Sequence, residues 1–263
     1  MISMKNNKNN LQQDPRELSI QASLYGLSFM IKNPKTKENK FFEYLFDKTN
    51  PVQLEEKLKE IAKERPVLKH HFEKTKIIHH NLWNTLVPRE YFEASAPEKY
   101  LKFNINLLPT DQASFDEITD LDIVNVYLPF VNINNFFLNY NPSVDYFHSA
   151  SVFIDKINKI RSKKANLPLY DLYLNVFPQD FQMLIYKNEE LLFFNSFEYQ
   201  TKDDFLYFFF FVLESLKLDE KEMDFHLCGV DRDFPVYKDL KDFIPRWKIL
   251  LPSNPGKINN FIL

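Results

Sequence analysis

Residues 18–31 read Leu18-Ser-Ile-Gln-Ala-Ser-Leu-Tyr-Gly-Leu-Ser-Phe-Met-Ile31, and residues 172–185 read Leu172-Tyr-Leu-Asn-Val-Phe-Pro-Gln-Asp-Phe-Gln-Met-Leu-Ile185. The second stretch lies on the first without a gap. Leu18 meets Leu172, Ile20 meets Leu174, Leu27 meets Phe181 and Ile31 meets Ile185. Each stretch is two β-rich runs with a turn between them, which predicts a hairpin. A short turn and an aromatic run follow in both places, Phe41–Phe46 and Leu191–Phe197. A helix start comes next, Thr49-Asn50-Pro51 in one and Thr201-Lys-Asp-Asp204 in the other. Pro at the first helical position gives up an N–H that has no intrahelical partner anyway. Thr201 is placed to cap, with Asp203 and Asp204 complementing the helix dipole. The shared order predicts one β-β-β-α unit used twice.

Outward from these units the pattern continues to alternate. Leu54, Leu58, Ile61 and Ala62 share one face of the first helix. Further strands are expected near Lys76–His80 and Ile123–Tyr127, with helices near Phe130–Leu138 and Ser151–Ile160. Late in the chain, Met223-Asp-Phe-His-Leu-Cys-Gly229 reads as a strand ending in glycine. A helical pattern follows with Tyr237, Leu240, Phe243 and Ile244. In open α/β sheets such a strand end is where ligands bind. The expected organisation is a tail over 1–14, a first half over 15–167 and a second half over 168–263. The tail is Asn-, Lys- and Gln-rich, with no apolar run of the signal-peptide kind. Phe205–Leu213 is the most hydrophobic stretch, far short of the ~20 residues a membrane span needs, and predicts a buried helix.

Composition removes several chemistries. The chain has 263 residues, 33 Lys plus Arg against 36 Asp plus Glu, and a net charge of −3. That gives no electrostatic case for nucleic acid or an anionic membrane. The 27 Phe and 13 Tyr would suit base stacking, but stacking platforms also need a cationic groove; most of these rings belong in a core, and exposed ones could form a partner patch. One cysteine, Cys228, excludes an intrachain disulfide and any cysteine-based zinc site, and a cytoplasmic location is expected. The three glycines, Gly26, Gly229 and Gly256, compare with about 18 at average usage. No Gly-rich phosphate loop exists, because such loops need residues without a Cβ around the anion.

Individual candidates are weak. His70–His71 and His79–His80 are adjacent pairs, and neighbours on a strand point to opposite faces rather than toward one metal ion. Asp120-Leu-Asp122 and Asp231-Arg-Asp233 each put two acids on one strand-like side, an arrangement equally common in caps and turns. Cys228 sits inside an apolar strand, where a thiol packs as a small hydrophobe. Ser196 has no nucleophile-elbow glycine beside it.

Two β-β-β-α units and a late strand–Gly–helix resemble the actin-like (ribonuclease H-like) ATPase fold of actin, Hsp70 and sugar kinases. Leu18–Phe29, Asn84-Thr-Leu-Val-Pro88 and Phe194-Asn-Ser-Phe-Glu-Tyr-Gln200 are similar to an uncharacterised Bacteroidetes family of this fold class. The resemblance implies an α/β protein of two related halves with mixed sheets and a cleft between them. ATPases of the fold place Asp-x-Gly in both hairpin turns, where carboxylates hold Mg²⁺ and glycines let N–H groups reach phosphate. Here the first turn is Leu24-Tyr25-Gly26, with leucine in the acid's place. The second is Pro178-Gln179-Asp180, with no acid first, no glycine third and one N–H lost to proline. On the adenosine side, Gly229 is followed by Val230. The cleft turns therefore carry Leu24, Gly26, Pro178, Asp180, Gly229 and Asp231, and no catalytic residue, metal ligand or cofactor is assigned. The implied function is a non-catalytic pseudo-ATPase that binds or scaffolds another protein. The alternative is an enzyme or sensor for a nucleotide or other small ligand in that cleft. A cleft lined by buried polar groups would favour the second, and a filled cleft with exposed aromatics elsewhere the first.

Overall fold

The structure, a computed structural model, describes residues 16–230, 232–244 and 246–250. The tail expected over 1–14, Asp231 and Gly256 lie outside the described residues.

The first hairpin is β1 (Glu17–Ser23) and β2 (Gly26–Lys32), followed by β3 (Asn39–Leu45) and helix α1 (Pro51–Glu64). Asn50 caps α1: its Oδ1 accepts the N–H groups of Val52 and Gln53, and the Gln53 side chain accepts the Asn50 N–H. This reciprocal pairing satisfies donors that a helix start leaves orphaned. Leu54, Leu58, Ile61 and Ala62 are the buried face of α1, as their spacing predicts. Strand β4 (Lys74–His80) then lies parallel to β1. A three-stranded insert follows, built from β5 (Asn84–Pro88), β6 (Ser114–Ile118) and β7 (Ile123–Tyr127) in the order β5-β7-β6. Helix α2 (Val131–Leu138), strand β8 (Val144–His148) and helix α3 (Ser149–Arg161) complete this part.

The second unit repeats the plan with β9 (Tyr170–Val176), β10 (Asp180–Lys187), β11 (Glu190–Glu198), α4 (Lys202–Ser215), β12 (Met223–Cys228), α5 (Tyr237–Phe243) and β13 (Trp247–Leu250). The sheet orders are β3-β2-β1-β4-β8 and β11-β10-β9-β12-β13. Both are mixed: the second strand is antiparallel to the first, and the last two run parallel to it. The hairpin registers also coincide. Leu18 pairs with Ile31, Ile20 with Phe29 and Ala22 with Leu27; Leu172 pairs with Ile185, Leu174 with Met183 and Val176 with Phe181. The gapless sequence match is thus a match of paired positions, so the same side chains face the core in both copies.

Several expectations differ in detail. Strand β1 stops at Ser23, because Leu24 enters the turn. Helix α3 begins at Ser149, two residues earlier than expected, because the His148 side chain caps it by accepting the Ala150 N–H. Asp120 and Asp122 are not on a strand: a 3₁₀ turn spans Thr119–Leu121, and Asp122 is left-handed at φ 56°. Helix α4 is buried on one face only. Phe205, Phe209, Val212 and Leu213 enter the core, whereas Tyr207 is 62% and Phe211 51% exposed, their rings stacked at 5.9 Å.

Each sheet has its own apolar core, and a third cluster joins them. Phe153, Ile154 and Ile157 of α3 pack with Ile78 of β4 on one side and with Tyr173, Phe177, Leu184, Tyr186 and Cys228 of the second unit on the other. A large apolar side chain buried this completely is worth roughly 1.5–3 kcal/mol. Helix α3 is therefore the packed wedge between the two sheets.

Candidate functional site

Near the hairpin turns two contacts join the halves: Tyr25 of the first turn reaches Glu198 at the end of β11, and His80 at the end of β4 reaches Asp180 at the start of β10. Leu24 packs against the core of the first half, and its carbonyl accepts both the backbone N–H and the hydroxyl of Thr49. An apolar side chain turned into its own half offers nothing to a hydrated cation. Its neighbour Tyr25 reaches the other half, where its hydroxyl donates to Glu198 Oε1 at 2.7 Å, and Lys48 pairs with the same carboxylate. Pro178 and Gln179 are exposed. Gly26 is buried as the first residue of β2, while Gly229 takes φ 84° after β12, a conformation that favours glycine.

Asp180 is the residue of this set that the fold brings to a partner. It opens β10, is 4% exposed, and its carboxylate accepts from His80 Nε2 at 2.9 and 3.0 Å. His80 closes β4, so the pair bridges the two halves. On its other side His80 Nδ1 is 2.8 Å from Ser149 Oγ. Gln182 Nε2 donates to that hydroxyl at 3.0 Å, and Asn175 Nδ2 donates to Gln182 Oε1 at 2.9 Å. The chain is consistent throughout if His80 carries a proton on Nε2 and Ser149 donates to Nδ1. The Phe177 ring stacks on the imidazole with centroids 3.6 Å apart. Phe177 belongs to the same turn as Pro178, so the second hairpin covers the pair that Asp180 makes with His80.

A serine, a histidine and a carboxylate in a row invite comparison with nucleophilic catalysis. Ser149 is fully buried at 0% exposure, its oxygen already accepts from Gln182, and Phe177 lies over the imidazole. The row lies in the interior and ties β4 to β10 and α3. His79 faces the opposite side of β4, as strand alternation requires. Its Nε2 is 2.9 Å from Asn134 Oδ1, and its Nδ1 accepts the Phe130 N–H at 3.2 Å. Burial pushes its pKa down to about 4. The side chains of His70 and His71 are exposed. None of these four joins a convergent ligand set.

Among the described residues the one such set is Asp171, Asp224 and His226. Asp171 is already neutralised there. Arg161 and Lys164 both bind its Oδ2, Tyr173 donates to it at 2.6 Å, and His226 Nε2 lies 2.6 Å from Oδ1. These bonds hold the Asp171 carboxyl far below the usual carboxylate range despite its burial. A divalent cation would have to displace two side-chain cations, so the donor set does not fit a metal. Cys228 is buried and its thiol is pushed up strongly by burial, which keeps it protonated and unreactive. Ser196 Oγ is buried without a hydrogen-bond partner. Asp233 is exposed.

Neither His80 with Ser149 nor Tyr25 with Glu198 was marked by the sequence as a pair. The available signal was polarity at core-facing positions: Asn175, Gln182 and His80 interrupt apolar strands that are buried on both faces. No helix among the described residues is long and apolar enough to cross a membrane.

None of the curated proteins matches the chain. A solved protein from Bacteroides thetaiotaomicron VPI-5482, described as having an actin-like ATPase fold and unknown function, is similar at TM-score 0.79 and 23% identity. That match covers 92% of this chain and 93% of that one. A structure described as the PilM–PilN type IV pilus biogenesis complex is similar at TM-score 0.52 and 10% identity, covering 90% of this chain and 88% of that one. These likenesses agree with the repeated sheet order and show the actin-like fold. A family described as "Protein of unknown function (DUF3822)" matches residues 5–246, and with nearly the whole length accounted for, this chain belongs to that family.

Proposed function

We propose that the protein is a non-catalytic actin-like module, a pseudo-ATPase in form, that works by binding another protein. The observation carrying this reading is the buried, hydrogen-bonded pair that joins the two halves beside the second hairpin turn. His80 and Asp180 bridge the halves, Phe177 covers them, and Leu24 and Pro178 stand where metal-holding carboxylates and phosphate-facing N–H groups would be needed. A buried pair whose hydrogen bonds are made is costly to break, because opening it to admit a phosphate would leave those groups unpaired. Exposed aromatics away from the cleft, Tyr207 and Phe211 on α4 and Phe243 on α5, also favour a binding module over a cleft enzyme. The similarity to a pilus protein found in a complex supports a protein partner by analogy of fold. The two halves, 15–167 and 168–263, act in this reading as one docking body, in the cytoplasm, where a chain with a single cysteine needs no disulfide.

Isothermal titration of the full chain with Mg·ATP, paired with a phosphate-release assay, tests the proposal. The expected result is no saturable heat and no phosphate above the buffer rate. Micromolar binding with steady phosphate release would overturn it, and saturable binding without release would favour a nucleotide sensor instead.

A further inference from the structure

A cavity of about 690 Å³ lies between β6 of the three-stranded insert and β8 of the first sheet. Its walls include the consecutive residues Ala113–Asp120 on one side and Val144–Phe147 on the other. Successive side chains of a strand point to opposite faces, so a wall that shows every residue in turn is the strand's edge. The sheet orders agree: β8 ends one sheet and β6 ends the other, and neither pairs with a further strand among the described residues. The edges are tied at one point, where Asp116 Oδ2 accepts the His148 N–H at 2.8 Å. That bond shows that the His148 amide points out of the sheet, and alternation turns the Tyr146 amide and carbonyl the same way.

Unpaired edges are usually protected by proline, lysine or a covering loop. Strand β8, Val-Asp-Tyr-Phe-His, has neither proline nor lysine. Its Tyr146 and Phe147, with Phe115 of β6, are 36–40% exposed. The charge of the cavity is one-sided. Asp116, Glu117, Asp120, Asp145 and Asp155 line it against a single cation, Lys76. Glu117 and Asp155 are held by Arg89 and Lys159; no cation among the described residues pairs with Asp120 or Asp145.

We infer that this groove takes an extended segment of a partner protein, which adds a strand to the β8 edge and carries apolar side chains alternating with Lys or Arg. Main-chain hydrogen bonds to the Tyr146 position give affinity. The aromatic walls receive alternate side chains, and the unpaired acids select basic ones. This deepens the protein-binding reading above and rests on it.

The test pans a phage library of random linear peptides on the full chain. Enriched sequences are then measured as labelled synthetic peptides by fluorescence anisotropy on the parent protein, on Tyr146→Pro and on Asp120→Lys/Asp145→Lys. Proline at an outward N–H removes a donor without touching the pairing to β4. The charge-reversed variant changes exposed side chains only, and decides the matter if the proline variant does not fold. The expected result is an enriched alternating apolar–basic pattern, with affinity weakened about tenfold or more in each folded variant and falling as salt rises. Overturning results are no enrichment above an unrelated control protein, or selected peptides that bind both variants as well as the parent. Those failures with a silent Mg·ATP titration remove the groove alone, whereas phosphate release removes the module reading whatever the peptides do.

Discussion

Replacing Asp171 with alanine is expected to lower the unfolding free energy by about 3–5 kcal/mol, the range for breaking one side of a buried charge pair. Asp171 is fully buried and Arg161 is 3% exposed. The guanidinium also sits 4.1 Å over the Tyr186 ring and bonds the Asn188 carbonyl, so it cannot swing to water without losing those contacts as well. Removal of the carboxylate leaves Arg161 uncompensated, strips Tyr173 of its acceptor and takes the partner from His226 Nε2, whose Nδ1 already has none. Asp171→Asn keeps the shape and one acceptor oxygen, and is expected to recover part of the loss, about 1 kcal/mol. Urea unfolding followed by tryptophan fluorescence reads both halves, because Trp83 packs with the first half's core and Trp247 with the second's. A midpoint shift worth less than about 1 kcal/mol, at unchanged slope, would show that the cluster is not the keystone of the second sheet. Asp145→Ala, at an exposed groove position, is the control and is expected to stay within about 0.5 kcal/mol of the parent.

The repeated halves were readable because their strands are buried on both faces and carry almost uninterrupted apolar runs. Leu18–Ile31 and Leu172–Ile185 align residue for residue, and that alignment survives as identical pairing registers. Helix starts were readable for a local reason, Pro51 at the first helical position and Thr201 as a cap, and the structure adds the reciprocal pairs Asn50 with Gln53 and Thr201 with Asp204. The strands that escaped reading are short and lie at edges. In β6, Ser-Phe-Asp-Glu-Ile, the aromatic Phe115 faces out while the acid Asp116 faces in. That inverts the pattern on which strand assignment relies. Strand β8 is largely exposed along its length, so no apolar periodicity marks it. The bridge between the halves was hidden for another reason. His80 and Asp180 are 100 residues apart, and neither has a local signature. What sequence could supply was the negative half of the site, the apolar and proline side chains at Leu24 and Pro178, and the rule that His79 and His80 face apart. The structure adds what joins the halves: the ring of Phe177 over the His80–Asp180 pair, and a chain of polar groups running through Ser149 to Asn175.

Acid is expected to destabilise the protein well before the usual carboxylate range, and buried neutral histidines are the cause. Burial pushes the His79 pKa to about 4, from an ordinary 6.5. Below pH 6.5 the unfolded chain therefore takes up a proton that the folded protein refuses. Stability from this group is complete above pH 6.5 and declines until about pH 4, at 1.36 kcal/mol per unit. At pH 5 the loss from His79 alone is about 2 kcal/mol. His148 is driven well below its ordinary value by complete burial and by the neighbouring His80 and His79, and His226 is lowered chiefly by burial. Both add losses of the same sign. One group opposes them. Burial raises the Asp116 pKa to about 6, from 3.8, so between those values the folded protein holds a proton that the unfolded chain has released. Acidification stabilises through Asp116, by about 1 kcal/mol at pH 5. Three histidines against one carboxylate leave a net loss. Urea midpoints measured from pH 7.5 to 5 are expected to fall steadily below pH 6.5. His79→Gln, which keeps a polar group facing Asn134 but cannot titrate, is expected to lower stability at pH 7.5 and flatten the slope. Midpoints that hold constant or rise toward pH 5 would mean that water reaches these imidazoles, and with it that the packing around β4 is looser than the hydrogen bonds of His79 and His148 require.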